Sequence, residues 1–197
     1  SATENAPFSK GRNGMILGEG AGILVLESRR TAEARGAKIL CDLAGYGSTS
    51  NAADLLRPDI DRTVDCMRDA VTDAGLKLSD IGYINAHGTG TVANDIAEIA
   101  AVRQVFGDDL GGTLISSTKP VHGHTLGSVG AIEAIVAINA LREQIAPPTL
   151  NFAEQDPVIG IDPVGNTKAA FNGDAVMSNS LAFGGINASL IFSKSTR

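Results

Sequence analysis

The most apolar run of the chain is Val129 to Leu141, where Val129, Ala131, Ile132, Ala134, Ile135, Val136, Ala137, Ile138, Ala140 and Leu141 leave almost no polar face. A helix apolar all round is normally covered on every side, so this pattern predicts a helix inside the protein. Its N-terminus is preceded by Lys119, His122 and His124 and interleaved with Gly123, Gly127 and Gly130. Cations, imidazoles and free backbone N–H groups then converge where a helix dipole already favours negative charge, a place to hold an anion. Pro147 and Pro148 end the element.

Elsewhere the pattern alternates between strand and helix periods. Met15 to Glu27 is β-branched and Leu-rich with Gly18, Gly20 and Gly22 inside it, and reads as a strand pair or a bulged strand. Those glycines do not open a helix, as a dinucleotide loop requires. Ser28 can cap a short helix through Arg35 with Gly36 as its left-handed stop, and Lys38 to Gly45 reads as strand. Asp61 can cap a helix to Ala74, in which Val64, Met67, Ala70, Val71 and Ala74 fall at helical spacing. Ile81 to Ala86 is a short strand ending in His87-Gly88-Thr89-Gly90-Thr91, and a helix follows from Asn94 or Asp95 to Phe106. Leu114 to Ser117 is strand, 151–173 is loop with an edge strand at most, and Ala175 to Ala182 and Ala188 to Ser193 form a hairpin about Phe183-Gly184-Gly185. Residues 1–14 read as loop. Alternating strands and helices predict an α/β fold.

Composition narrows the setting. The 197 residues suit one large domain or half of a pseudo-duplicated one, and 43% hydrophobic content is ample for a core. A net charge of −6 with scattered Lys and Arg argues against a broad nucleic-acid surface. Cys41 and Cys66 have neither metal nor redox spacing, which favours a reducing, cytoplasmic setting. Arg142 and Glu143 break the apolar helix too soon for it to span a bilayer, and no signal peptide opens the chain, so a soluble protein is expected. Ser1 in place of an initiator Met suggests a start in mid-protein.

Three loops that follow strands, at His87, at Lys119 to His124 and at Phe183 to Asn187, carry glycines beside polar or aromatic residues, and one site built from all three is the economical reading. Two neutral imidazoles donating to one carbonyl oxygen stabilise an enolate or oxyanion, worth about 2.7–4 kcal/mol per donor. Lys119 balances the charge, with Glu98 or Asp95 as its counter-ion. No Ser or Cys sits in a tight strand-to-helix elbow, so a nucleophile is missing. A rival reading makes His87, His122 and His124 a three-His zinc set with an open fourth position. The helix dipole and Lys119, both repelling a cation, weigh against it.

The blocks GRNGMILGEGAGILVLE, IGYINAHGTGTVANDIAEIAAV, SSTKPVHGHTLGSVGAIEA, PPTLN and NSLAFGGINASLIF, in this order and spacing, resemble the β-ketoacyl-[acyl carrier protein] synthases, condensing enzymes with the thiolase fold. The resemblance covers essentially the whole chain. It implies the C-terminal half of a thiolase-like αβαβα sandwich, a mixed sheet with helices on both faces, residues 1–197 forming the C-terminal synthase domain. It further implies that His87 and His124 bind a malonyl thioester carbonyl and stabilise the enolate formed on decarboxylation. Lys119 resembles the family's active-site lysine, Glu98 the acid that pairs with it, and Asp95 an acid of the same helix. Thr89 and Thr91 resemble threonines that bind the phosphopantetheine arm. Phe183, with Gly184 and Gly185, resembles a gate whose backbone N–H helps form the oxyanion hole.

The same resemblance implies that the phosphopantetheine arrives on an acyl carrier protein and that no metal or redox cofactor is needed. It also implies a homodimer for the full-length protein, in fatty-acid or polyketide synthesis. The family's nucleophilic cysteine belongs to an N-terminal half that neither Cys41 nor Cys66 matches. The chain alone is then expected to be inactive in condensation, with a helix face left uncovered. A non-condensing, chain-length-factor-like subunit is the alternative. Three departures stand out: Asn13 in place of Asp after Arg12, Ala182 and Ile186 flanking the gate in place of Gly and Thr, and His122 beside the Gly123-His124 pair, expected to be a solvated loop residue.

Overall fold

The computed structural model describes residues 4–52 and 54–195. Helix α1 (Arg29–Ala34) starts at Ser28, whose side chain accepts from the Thr31 N–H, as the capping pattern predicts. Strand β1 (Asp42–Ser50) follows, shifted towards the C-terminus of the expected run. Helix α2 (Ile60–Ala74) is capped by Asp59 rather than by Asp61, the Asp59 carboxylate accepting from the Arg62 N–H, and closes on a left-handed Gly75. Strand β2 (Ile81–Asn85), helix α3 (Val92–Phe106), strand β3 (Leu114–Ser116) and a single helical turn, α4 (Lys119–His122), come next. Helix α5 (Val129–Glu143) and strands β4 (Ile145–Ala146), β5 (Ala169–Ala170), β6 (Ala175–Ala182) and β7 (Ile186–Ser193) complete the order.

Five strands form one mixed sheet in the order β1-β7-β6-β2-β3, with the β1/β7 and β7/β6 pairs antiparallel and the β6/β2 and β2/β3 pairs parallel. Strands β4 and β5 make a small separate ladder, of which β5 alone falls within 151–173, where an edge strand is expected. Alternation along β2 and β6 sorts the core into two layers. Ile84 and Met177 pack with Met67, Ile99 and Val102 beneath α2 and α3, whereas Tyr83 and Val176 pack with Ala134, Ala137 and Leu141 of α5 on the other face. Helix α2 lies so close to β1 that a Cβ at Gly47 would meet the Cys66 carbonyl oxygen at 2.0 Å.

Two expectations need correction. Residues 15–28 form no strand beyond a one-residue parallel bridge between Leu17 and His124. The alternation there is real, since Leu24 packs against the α5 layer while Ile23 and Val25 are each 86% exposed, but no neighbouring strand among the described residues satisfies its backbone. Helix α5, expected to be covered all round, buries Val129, Glu133, Ala134, Ala137, Ala140 and Leu141, while Ala131, Ile132, Val136 and Ile138 are half-covered and Ile135 is exposed. This is the uncovered face that the family resemblance implies. The expected loop over residues 1–14 is irregular from residue 4 onward, with residues 1–3 outside the described residues.

Candidate active site

The carboxyl ends of β2, β3 and β6 bring the three expected loops together around a cavity of about 580 Å³. His87, Thr89, Thr91, Asn94, His124 and Phe183 line it, and Leu55, Leu56 and Leu126 supply an apolar rim. Every residue expected from the sequence to touch substrate reaches this wall except Gly184, which lies one residue along the same turn.

His87 follows β2, and Glu98 of α3 holds its backbone: one carboxylate oxygen accepts from the His87 N–H at 2.7 Å and the other from the Gly88 N–H at 2.8 Å. Ser117, directly after β3, clamps the same loop, its hydroxyl donating to the Gly88 carbonyl at 2.7 Å. His124 is set by the loop after α4. Gly123 turns the chain at φ +70°, ψ 179°, a conformation that side chains disfavour, and its neighbour's N–H donates to the Ile16 carbonyl at 2.7 Å. The two rings then meet edge to face, centroids 5.3 Å apart at 82°.

Hydrogen bonding fixes which nitrogen of each ring faces outward. Leu126 N–H donates to His124 Nδ1 at 3.3 Å, and the Lys119 ammonium, which only donates, lies 3.5 Å from His87 Nδ1. Both Nδ1 atoms are therefore acceptors, and both rings carry their proton on Nε2. Burial first, then the Lys119 charge, holds His87 well below the ordinary histidine value and brings His124 down to about 4. The site is thus a pair of neutral N–H donors near neutral pH, the arrangement that two-donor stabilisation of an oxyanion requires.

The buried charges differ from the expected pairing. Lys119 is bound by Glu133 of α5 at 2.6 Å and also donates to the His87 carbonyl, so Glu98 is not its ion-pair partner. Asp95 is not its partner either: it accepts from the Phe8 and Gly90 N–H groups and lies 3.4 Å from the Arg12 guanidinium, tying the N-terminal segment to the site loop. Burial raises the Glu98 and Asp95 carboxyls against these donors, and pushes Glu133 up to about 7 against the pull of Lys119. Sequence reasoning missed Glu133, although a lone acid inside an all-apolar helix was the available signal, because a charge placed there needs a buried partner.

Thr89 and Thr91 share a hydroxyl–hydroxyl hydrogen bond of 2.8 Å at the cavity wall, suited to a polar arm entering from solvent. Phe183 is 62% exposed at the tip of the β6–β7 turn, with Gly184 and Gly185 both at positive φ. Three backbone hydrogen bonds strap that turn to residues 51–55: Asn51 N–H to Gly185, Ala52 N–H to Gly184, and Gly184 N–H to the Leu55 carbonyl. Ala182 and Ile186 pair across the strand ends beside it.

Neither cysteine reaches the cavity. The Cys66 thiol is buried under α2 and donates to the Gly47 carbonyl at 3.3 Å, Cys41 is half-buried, and burial pushes both thiols up, away from nucleophile chemistry. The three-histidine zinc set is not assembled either. The His122 ring turns to Thr118 and to the Gly123 carbonyl, and among the described residues no group of three or more His, Cys, Asp or Glu is placed to hold a metal. His122 is also no solvated loop residue, since it ends α4 with both ring nitrogens engaged.

Comparison with known proteins bears on the family and the fold. Residues 40–153 match the family described as β-ketoacyl synthase, C-terminal domain. Nodulation protein E of Rhizobium meliloti is 45% identical over 186 residues, covering 94% of this chain and 46% of the relative. The 3-oxoacyl-[acyl-carrier-protein] synthase 2 of Vibrio harveyi is 41% identical over 191 residues, covering 95% and 46% respectively. The solved structure of the ishigamide ketosynthase/chain length factor superposes with a TM-score of 0.95 at 40% identity, covering all of this chain and 48% of the other. The chain spans about half the length of the curated relatives it matches. Among the described residues no helix is long and apolar enough to cross a membrane.

Proposed function

This chain belongs to the β-ketoacyl synthase family, and we propose that it supplies the decarboxylation half of a condensing acyltransferase in fatty-acid or polyketide synthesis. The observation that carries the reading is the pair of imidazoles, His87 and His124, that meet edge to face on the wall of one cavity, each with its Nδ1 engaged as an acceptor. A malonyl thioester bound there places its carbonyl oxygen between the two donors. As the C–C bond to the carboxylate breaks, its electron pair enters the thioester as an enolate, and the negative charge develops on the oxygen that His87 and His124 already solvate. Carbon dioxide leaves, the enolate carbon attacks the carbonyl carbon of an acyl thioester in a Claisen condensation, and the C–S bond of that thioester breaks to release the thiolate that carried the acyl group. That acyl thioester comes from outside this chain, since neither Cys41 nor Cys66 lies on the cavity.

Lys119 acts on the rings rather than on the substrate. Its charge disfavours an imidazolium at either position, and its bonds to the His87 backbone and to Glu133 fix where His87 sits. Thr89 and Thr91 receive the phosphopantetheine arm of an acyl carrier protein, and Phe183 with Gly184 and Gly185 gates the apolar end. No resident metal or redox cofactor takes part. The assembled enzyme is a cytoplasmic homodimer. A chain-length-factor-like subunit needs no decarboxylation site, and the intact His87, Lys119 and His124 set favours the enzyme.

The test is release of labelled CO2 from malonyl-acyl carrier protein by this chain assembled with its condensing half. His124→Ala lowers that rate about a hundredfold or more. An unchanged rate removes His124 from the mechanism.

A further inference from the structure

His122 is the one imidazole the chemistry above leaves unused, and its surroundings are unusually determinate. Helix α4 is one turn long, with the buried Lys119 at its first position and His122 at its last. The His122 ring clasps that turn at both ends. Its Nε2 lies 3.1 Å from the hydroxyl of Thr118, the residue preceding the turn, and its Nδ1 lies 2.7 Å from the carbonyl of Gly123, the residue following it.

The roles follow from the atoms. A carbonyl only accepts, so Nδ1 carries the proton and Nε2 is the acceptor. The Thr118 hydroxyl must then donate to His122, which leaves its lone pairs for the Asn85 amide at 3.4 Å. Asn85 is fully buried in β2, two residues before His87, and its amide also donates to the Tyr83 hydroxyl at 3.1 Å. One directed chain therefore runs from the strand that carries His87, through Thr118 and the His122 ring, to the carbonyl immediately before His124. Gly18 packs against the outside of the same loop, where a Cβ would meet the His122 carbonyl oxygen at 2.0 Å, so the loop has little room to move outward.

We propose that His122 is a positioning residue, which acts as a strut across α4 and sets the spacing of Lys119 and His87 against His124. Its ring does not line the cavity and contacts no substrate. The kinetic part of the test rests on the condensing function proposed above, whereas the spectroscopic part does not.

Long-range proton–nitrogen correlation on the nitrogen-labelled chain at neutral pH reports the tautomers directly. His122 should be protonated on Nδ1, opposite to His87 and His124, and an Nε2–H tautomer at His122 overturns the proposal. His122→Ala should shift the ring signals of His124 and the amides of Gly123 and His124, and should speed exchange of the Gly123 amide, which donates to Lys119. His122→Gln, which keeps an acceptor towards Thr118, should restore most of the parent spectrum. Thr118→Val, which cuts the chain while leaving the ring, should reproduce the alanine pattern and serves if His122→Ala fails to fold.

A His124 spectrum indifferent to both substitutions overturns the role. In malonyl decarboxylation, His122→Ala should lower kcat about tenfold, in keeping with the sensitivity of catalysis to small displacements, while KM is unchanged. A fall confined to KM would instead make His122 a binding residue and overturn the strut. A parent protein that releases no CO2 counts against the condensing function, and the spectra alone then decide His122.

Discussion

Lys119 Nζ and Glu133 Oε1 lie 2.6 Å apart with neither side chain exposed, so the short turn α4 that leads into His124 is bolted to the second turn of α5. Taking two charges out of water is costly, and breaking such a pair costs more than replacing both members.

Lys119→Met should therefore destabilise the chain by about 3–5 kcal/mol at pH 8, read from urea midpoints, and adding Glu133→Leu should recover most of the loss. The cost should shrink at pH 6. A carboxyl whose folded-state value is raised stays protonated longer in the folded chain, so its contribution is fully present below its unfolded value and is lost as pH rises through the folded one. The orphaned Glu133, already raised to about 7 and relieved of Lys119, is raised further. Equal costs at pH 6 and pH 8 would contradict this.

The rings of His87 and His124 should resist acid. Because His124 is lowered to about 4 and His87 lies well below the ordinary value of 6.5, the neutral donor form persists as pH falls through 6.5 and is lost at His124 only near 4. Ring proton shifts followed against pH should show no titration of either residue near 6.5, and decarboxylation should have no acid limb there. In Lys119→Met both midpoints should move up, since a positive neighbour has been removed.

Glu98→Gln separates the two assignments of that residue. As the acceptor of the His87 and Gly88 N–H groups, Glu98 cannot be replaced by an amide without turning an NH2 against one of them, at a cost of about 1–3 kcal/mol, with faster exchange of those two amides. Were Glu98 the partner of Lys119, the substitution would alter the Lys119 environment instead and leave the two amides protected.

The uncovered apolar surface should be visible in solution. Ile23, Val25 and Leu26 are 86%, 86% and 69% exposed beside the half-covered face of α5. The chain alone should bind an apolar dye in its native state and self-associate with concentration, both reduced in Ile23→Lys with Val25→Lys. A monodisperse monomer that binds no dye would mean the surface is covered in some other way.

Several departures from expectation share one origin. Helix α2 was legible from its periodicity, but its cap moved from Asp61 to Asp59, because either carboxylate satisfies the capping pattern and only the entering chain decides. The segment 15–28 has the alternation of a strand and is none here, because a strand exists only when another lies alongside. Glu98 and Glu133 both feel the Lys119 charge, and spacing alone does not choose between them.

The sequence by itself determined the alternation of strands and helices, the α/β class, the β6–β7 hairpin with its glycine turn, the inert state of both cysteines, and the gathering of His87, Lys119, His124 and Phe183 at strand ends. Those features depend on side-chain period, turn chemistry and motif order, which are written locally. The tertiary structure alone decided which acid neutralises Lys119, which ring nitrogen each histidine presents, that His122 clasps α4, and which face of α5 stays open. These depend on distances between segments far apart in the chain, where about an ångström decides whether a charge is paired and whether a nitrogen donates or accepts.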